Sequence, residues 1–168
     1  MKLTDIWPLE KWVALEKEIH EKSGLDASVF DIDGIRITDY KKWVNRLCPV
    51  IKANEKGQSY ICAVAHQNLA TMAKNSKKSV VMECDAGLLK IIAPLFVQGE
   101  FLGAIGGCGL LMEDGETDAF LVNKTTGIED ETIEELSESI GFLTGEKARE
   151  IAAFLEEKAE GIAAEHEA

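Results

Sequence analysis

Apolar and polar positions alternate with different periods along the chain, and each period predicts a different element. Residues 9–22 carry apolar side chains at helical spacing among Glu and Lys, and Gly24 follows where a helix often ends. Residues 27–38 then hold two β-branched or aromatic runs around Asp33-Gly34, a pair that suits a type I′ turn. We therefore predict an opening helix followed by a β-hairpin. The apolar positions of the helix are Leu9, Trp12, Val13 and Ile19.

Two further helices are predicted after the hairpin. From Asp39 to Ala53 apolar side chains recur at intervals of three and four, although Pro49 should kink or break this helix beside Cys48. A second helix follows Gly57. The apolar positions are Tyr40, Trp43, Val44, Leu47 and Ile51 in the first helix, and Ile61, Cys62, Ala65, Leu69, Met72 and Ala73 in the second.

Three strands are predicted next, at residues 79–84, 90–97 and 101–111. Their continuous apolar runs indicate the interior of a sheet. The third strand is rich in glycine, which indicates bulges or the close approach of something bulky, either a ligand or a packed helix. These glycines are Gly103, Gly106, Gly107 and Gly109.

The last part of the chain is predicted to be a polar loop at residues 113–130 and two helices. One helix runs from Asp130 to Ile140, and the other begins after Thr144 as its N-cap. The last helix has apolar positions at alternating spacings of four and three, which suits either packing onto the domain or a homodimer contact. These positions are Ala148, Ala152, Leu155, Ala159 and Ile162.

The order of these elements predicts an α/β protein of the α+β type. It is similar to PAS and GAF sensory domains, with a mostly antiparallel sheet, helices covering one face and a C-terminal helical extension. A chain of 168 residues fits one domain. We expect a single domain over residues 1–168, with its core at about 9–111 and the helical section at about 129–166.

The net charge of -12 is concentrated in the last third of the chain. Residues 1–111 carry 14 basic and 13 acidic side chains, whereas residues 112–168 carry 4 basic and 17 acidic ones. Acidic surfaces repel phosphate backbones and anionic lipids, so we expect no direct contact with nucleic acid or membranes. The first residues lack the apolar core of a signal peptide. We therefore expect a cytoplasmic protein with reduced cysteines.

Five short motifs in the middle of the chain carry a family resemblance. They are Leu47-Cys48, Ile61-Cys62, Cys84-Asp85-Ala86-Gly87-Leu88, the strand Ala93-Pro94-Leu95-Phe96-Val97, and the glycine-rich strand that ends at Gly107-Cys108. Together they resemble the PocR sensory domain family over about residues 9–111. That family usually has His where this chain has Asp85, and Gln where it has Cys108. The resemblance implies a sensory module that binds a small organic molecule and signals to an output domain, here expected on a separate protein.

The candidate site follows from these motifs. We predict ligand or cofactor contacts at Cys84, Asp85, Gly87, Gly107 and His66, the last one helical turn after Cys62.

The four cysteines leave several functions open. Their spacings of 14, 22 and 24 residues match no CxxC metal motif, so only the fold can bring them together. If it does, soft thiolates suit an iron–sulfur cluster or Zn²⁺. The alternatives are small buried apolar side chains and reversible redox sensing. These candidate metal ligands are Cys48, Cys62, Cys84 and Cys108.

The sequence does not indicate an enzyme, since it holds no Ser-His-Asp order, P-loop or dinucleotide fingerprint. The leading hypothesis is a cytoplasmic sensory domain with a small organic ligand or cysteine-held cofactor in an internal pocket. The alternative is a redox or electron-transfer protein that holds an iron–sulfur cluster, or Zn²⁺, through its cysteines.

Overall fold

The structure, a computed structural model, describes residues 1–167. Its helices are α1 (Leu3–Ile6), α2 (Leu9–Ser23), α3 (Leu47–Ala53), α4 (Glu55–Gly57), α5 (Ala63–Ser76), α6 (Ala119–Thr126), α7 (Asp130–Ser137) and α8 (Gly145–Glu165), and a π-helical turn (Gln58–Cys62) joins α4 to α5. Its strands are β1 (Asp26–Asp31), β2 (Val80–Glu83), β3 (Leu89–Val97), β4 (Glu100–Met112) and β5 (Phe142–Leu143).

The strands form one open sheet in the order β1-β4-β3-β2, with every pair antiparallel. The short β5 pairs with the end of β4 in parallel. This arrangement confirms the predicted α+β, PAS-like fold class with a mostly antiparallel sheet. The three strands predicted in the middle of the chain are β2, β3 and β4.

Helices cover both faces of this sheet, and not one face alone. Successive side chains of a strand point to opposite faces. Ile91 of β3 accordingly packs in the core formed with α2 and α8, whereas its neighbour Ile92 packs with Leu69 of α5. The helix α8, predicted as an extension, therefore closes the main core. Its apolar seam is buried in that core and includes Ala148, Ala152, Leu155, Ala159 and Ile162.

The opening helix forms as predicted, and it contains a buried acidic side chain that was not expected. The helix α2 ends at Gly24, which has a φ of 74° and a left-handed conformation suited to glycine. Trp12 and Ile19 are fully buried, whereas Leu9 is 45% exposed. Glu16, which the apolar pattern did not indicate, is fully buried on the same face.

The hairpin predicted at residues 27–38 forms only in part. The return from β1 makes a single bridge between Phe30 and Arg36. Gly34 has a positive φ but Asp33 does not, so the turn is not of type I′. The Asp31 carboxylate instead accepts hydrogen bonds from the backbone N–H groups of Asp33 and Ile35. The Asp31 side chain therefore stabilises a turn of another type than the predicted type I′ turn.

Residues 39–46 are not helical, and Pro49 lies in the first turn of a helix rather than breaking one. The helix α3 begins at Leu47, so Pro49 lies in its first turn, where a missing N–H leaves no hydrogen bond unmade. Asn45 lies just before the N-cap residue Arg46, and its Oδ1 accepts a hydrogen bond of 2.7 Å from the backbone N–H of Cys48 in the first turn. Cys48 therefore lies at an ordered helix start.

Two predicted apolar surfaces differ from expectation. On α5, Met72 is 43% exposed and His66 is buried instead. The strand β2 is an edge strand, and its Val81 and Met82 are 42% and 41% exposed, so the predicted interior position is wrong for this strand. An apolar run indicates a strand but does not show whether that strand lies at the edge or in the interior of the sheet.

The region after β4 contains a helix that was predicted as loop. The helix α6 has Asp118 as its N-cap, whose side chain accepts a hydrogen bond from Leu121 N, and left-handed Gly127 at its end. The predicted N-cap of the last helix is confirmed, because Thr144 Oγ1 accepts a hydrogen bond of 3.0 Å from Lys147 N. No helix within residues 1–167 is long and apolar enough to cross a membrane.

Candidate functional site

A cavity lies between the sheet and the segment that contains α3 and α5. Its volume is about 40 Å³, which corresponds to about three water molecules. Its lining combines apolar, thiol and charged side chains, namely Asp26, Ser28, Arg36, Trp43, Val44, Asn45, Cys48, Lys52, Cys62, His66, Cys84, Leu88, Lys90, Cys108 and Gly109.

All four cysteines line this cavity, and each comes from a different element. Cys48 lies at the start of α3, Cys62 at the end of the π-helical turn, Cys84 between β2 and β3, and Cys108 on β4. All four are free thiols and half-buried. Single turns of π-helix frequently mark functional sites, because the added residue redirects the side chains around it.

Three strands supply the floor of the cavity through residues in register. Cys108 on β4 pairs with Asp26 on β1 and with Lys90 on β3, so these three side chains share one face of the sheet. The Nζ atom of Lys90 lies 3.3 Å from Nδ1 and 3.4 Å from Nε2 of His66. The His66 ring also packs on Phe30, with 4.2 Å between the ring centroids.

The wall opposite the floor is the irregular segment before α3. Asn45 Nδ2 donates a hydrogen bond of 2.7 Å to the backbone oxygen of Gly109, which ties this wall to β4. A β-carbon at Gly109 would lie 2.6 Å from Val44 Cγ2. Residue 109 must therefore be glycine, because the wall leaves no room for a β-carbon. Its φ of 106° is also a conformation that other residues rarely adopt.

Burial keeps four titratable groups of the cavity neutral. It raises the pKa of Cys48, Cys62 and Cys84, because a thiolate loses its hydration there. Burial, followed by the nearby Lys90 ammonium, lowers the pKa of His66 far below its usual range. At neutral pH these thiols and this imidazole carry no charge.

The two lysines of the cavity respond differently to their surroundings. Burial and the nearby Arg36 lower the pKa of Lys52. Burial opposes the charge on Lys90, but the negative charge that Cys108 and Cys84 carry when they are ionised, together with a hydrogen bond to Cys108, favours it and raises the pKa of Lys90. The charge of Lys90 is thus tied to negative charge in the cavity.

A buried ionic cluster lies beside the cavity. Arg36 Nη2 lies 3.6 Å from Glu16 Oε2 and 3.8 Å from Asp26 Oδ1, and it donates hydrogen bonds to the backbone oxygens of Ala27 and Tyr40. Burial raises the pKa of Glu16 to about 7, although its hydrogen bond from Thr38 and the charge of Arg36 act in the opposite direction.

The structure brings together some of the predicted site residues and separates others. Cys84 and His66 line the cavity with the other cysteines. Asp85 and Gly87 lie on the turn after β2 and border a separate surface depression with Asp118. A β-carbon at Gly107 would meet Leu25, which belongs to the α2 and α8 core on the opposite face.

Sequence reasoning missed the charged residues of the cavity. Lys90 opens an apolar run that forms a buried strand, and a lysine at such a position is a signal that was available. Arg36, Lys52 and Asn45 carry no comparable sequence signal, because each lies in a segment whose path depends on tertiary contacts.

Within residues 1–167, no group of three or more His, Cys, Asp or Glu side chains is arranged to hold a metal ion. The four cysteines border one cavity without forming such a group.

A comparison with protein families agrees with the fold. The family model described as "Sensory domain found in PocR" matches residues 5–167, which is nearly the whole chain and more than the 9–111 expected from the motifs. No curated protein and no solved structure matches.

Proposed function

The chain belongs to the PocR sensory domain family, and from this membership and its cavity we propose that it is a signalling module that binds a small organic ligand. The observation that carries the proposal is the cavity itself, in which apolar side chains surround a few convergent polar groups. We propose Cys84 and His66 as ligand contacts, with the other three cysteines beside them.

The sheet offers a direct route from the cavity to the C-terminal helix. Lys90 lines the cavity, and its neighbour Ile91 packs in the core that contains α8. On β4 the register shift at Gly109 places Leu110, two residues after Cys108, against the same core. A ligand that shifts the floor strands therefore alters the surface on which α8 packs. It moves the equilibrium only by its different affinity for the two states.

Ligand-observed NMR with a panel of alcohols, diols, aldehydes, amides and carboxylates of two to four carbons tests the binding step. We expect at least one class of compound to bind the wild-type protein. Binding should be lost in Cys108→Leu, because the larger leucine side chain fills the cavity. Hydrogen exchange of residues 145–165 with the binder at saturation tests the coupling. Absence of any binder contradicts the proposal, and unchanged exchange at saturation contradicts the route through α8.

We further propose a cytoplasmic location and a separate output protein. The free cysteines support the location, because thiols stay reduced in that compartment. The apolar seam of α8 is buried in its own domain, so a homodimer through this helix would use its outer, charged face.

A second candidate function is a redox or electron-transfer protein with a cysteine-held iron–sulfur cluster or Zn²⁺. It is favoured by the four thiols from four elements that line one cavity. Metal binding would displace the thiol protons, so their raised pKa makes the affinity pH-dependent.

Anaerobic purification followed by elemental analysis and visible absorption tests this candidate. Stoichiometric iron with charge-transfer absorption that is lost in Cys48→Ser supports a cluster. Stoichiometric zinc without colour supports Zn²⁺. Folded, colourless and metal-free protein after reconstitution with iron and sulfide contradicts both.

A further inference from the structure

The ammonium group of Lys90 is buried without an acidic partner. Lys90 is 5% exposed, its Nζ atom lies 3.3 and 3.4 Å from the two ring nitrogens of His66, and the Cys108 side chain is a further hydrogen-bonding neighbour. The ion pairs found in residues 1–167 involve neither Lys90 nor Lys52. A buried charge is strongly disfavoured unless an opposite charge compensates it.

The cavity as a whole carries an excess of positive charge. Arg36, Lys52 and Lys90 line it, and Asp26 is its acidic lining residue. Asp26 already faces Arg36, with 3.8 Å between Oδ1 and Nη2. Among the described residues no second carboxylate lines the cavity, so an anionic group on an occupant would supply the countercharge that Lys90 lacks.

We propose that the ligand of this cavity is a small organic carboxylate whose carboxylate group binds against Lys90. The inference rests on the proposed ligand-sensing function and narrows it to one chemical class. Leu88, Val44 and Trp43 supply an apolar lining for a short hydrocarbon part. A volume of about 40 Å³, which corresponds to about three water molecules, favours a ligand of only a few non-hydrogen atoms.

Propanoate and propanamide provide a matched pair of probes, because they have the same shape and differ in charge. Calorimetric titration at constant ionic strength should give at least about tenfold tighter binding of propanoate. Equal or tighter binding of propanamide overturns the inference but leaves the sensing function intact. Failure of both to bind also overturns it, and the sensing function then depends on the wider panel.

The variant Lys90→Met removes the charge and keeps the length of the side chain. The affinity for propanoate should fall to that for propanamide, whereas Lys56→Met, on the exposed surface of α4, should leave it unchanged.

The same variant has a readout that needs no ligand. Without ligand, Lys90→Met should raise the Tm, because it removes an uncompensated buried charge. A lower Tm with unchanged affinity for propanoate shows that Lys90 already has a partner, such as a thiolate at Cys108, and overturns the inference.

Discussion

The Nη2 atom of Arg36 lies 3.6 Å from the Oε2 atom of Glu16, whose side chain is fully buried. This pair joins α2 to the wall of the cavity, because Glu16 belongs to the helix and Arg36 lines the cavity. Glu16 Oε2 accepts no hydrogen bond, so its negative charge is only partly compensated. The stability of the domain therefore depends on the protonation of one buried acid.

The free energy of unfolding should fall as the pH rises from about 4.5 to above 7. Burial raises the pKa of Glu16 from 4.5 to about 7, so the folded state holds this proton where the unfolded state has lost it. The stabilisation that protonated Glu16 contributes is fully present below pH 4.5 and is lost as the pH rises through 7. Its size is about 3 kcal/mol, since a tenfold change in proton affinity corresponds to about 1.4 kcal/mol.

Urea unfolding of wild type and Glu16→Gln at several pH values checks this dependence. Gln has the same shape and does not ionise, so the difference between the two proteins isolates Glu16 from the other acids. A difference that is constant between pH 5 and 8 contradicts the prediction.

Replacing Arg36 by Met should destabilise the domain strongly. The change leaves Glu16 and Asp26 without their cation and removes donors to two backbone oxygens, and the expected loss is about 3–5 kcal/mol. Adding Glu16→Gln should recover part of this loss, because one uncompensated acid is then absent. Chemical unfolding of the double-mutant cycle measures the coupling, and additive losses would show that the pair does not interact.

Two glycines should respond in opposite directions to replacement by alanine. A β-carbon at Gly106 would overlap the backbone oxygen of Ile91 on the neighbouring strand, so Gly106→Ala should cost several kcal/mol, about 3 or more. Gly161 lies inside α8 with open space around it, so Gly161→Ala should stabilise by about 0.5–1 kcal/mol. Thermal unfolding distinguishes them, and similar effects at both sites contradict the packing of β4.

The cavity thiols should react slowly with iodoacetamide in the folded protein. Burial raises the pKa of Cys48, Cys62 and Cys84, so little thiolate is present at pH 7.5. We expect labelling on the order of tenfold slower, or more, than in the denatured chain. Peptide-resolved mass spectrometry measures the three rates, with denatured protein as control. Equal rates in the two states would mean that the thiols are accessible and ionised.

Much of the local structure could be predicted because its causes are local. The left-handed residue Gly24 ends α2, and Thr144 caps α8, through contacts within a few residues. The helix at 119–126 was missed because its apolar side chains have no clear period and its formation rests on two caps. The segment 39–46 has helical spacing but is held open by Asn45, which bonds to a residue 64 positions away.

The candidate site also has a part that the sequence could predict and a part that depends on tertiary contacts. Its cysteines could be singled out from the sequence, since thiols are few and their motifs have a family resemblance, and the α+β fold class followed from the order of periodic segments. Their common cavity, and the meeting of Lys90 with His66, depend on β-sheet register between β1, β3 and β4 and on the packing of α5. These contacts join residues far apart in the chain, so no local period encodes them. The charge balance of the cavity, and with it the proposed class of ligand, therefore depends on the tertiary structure.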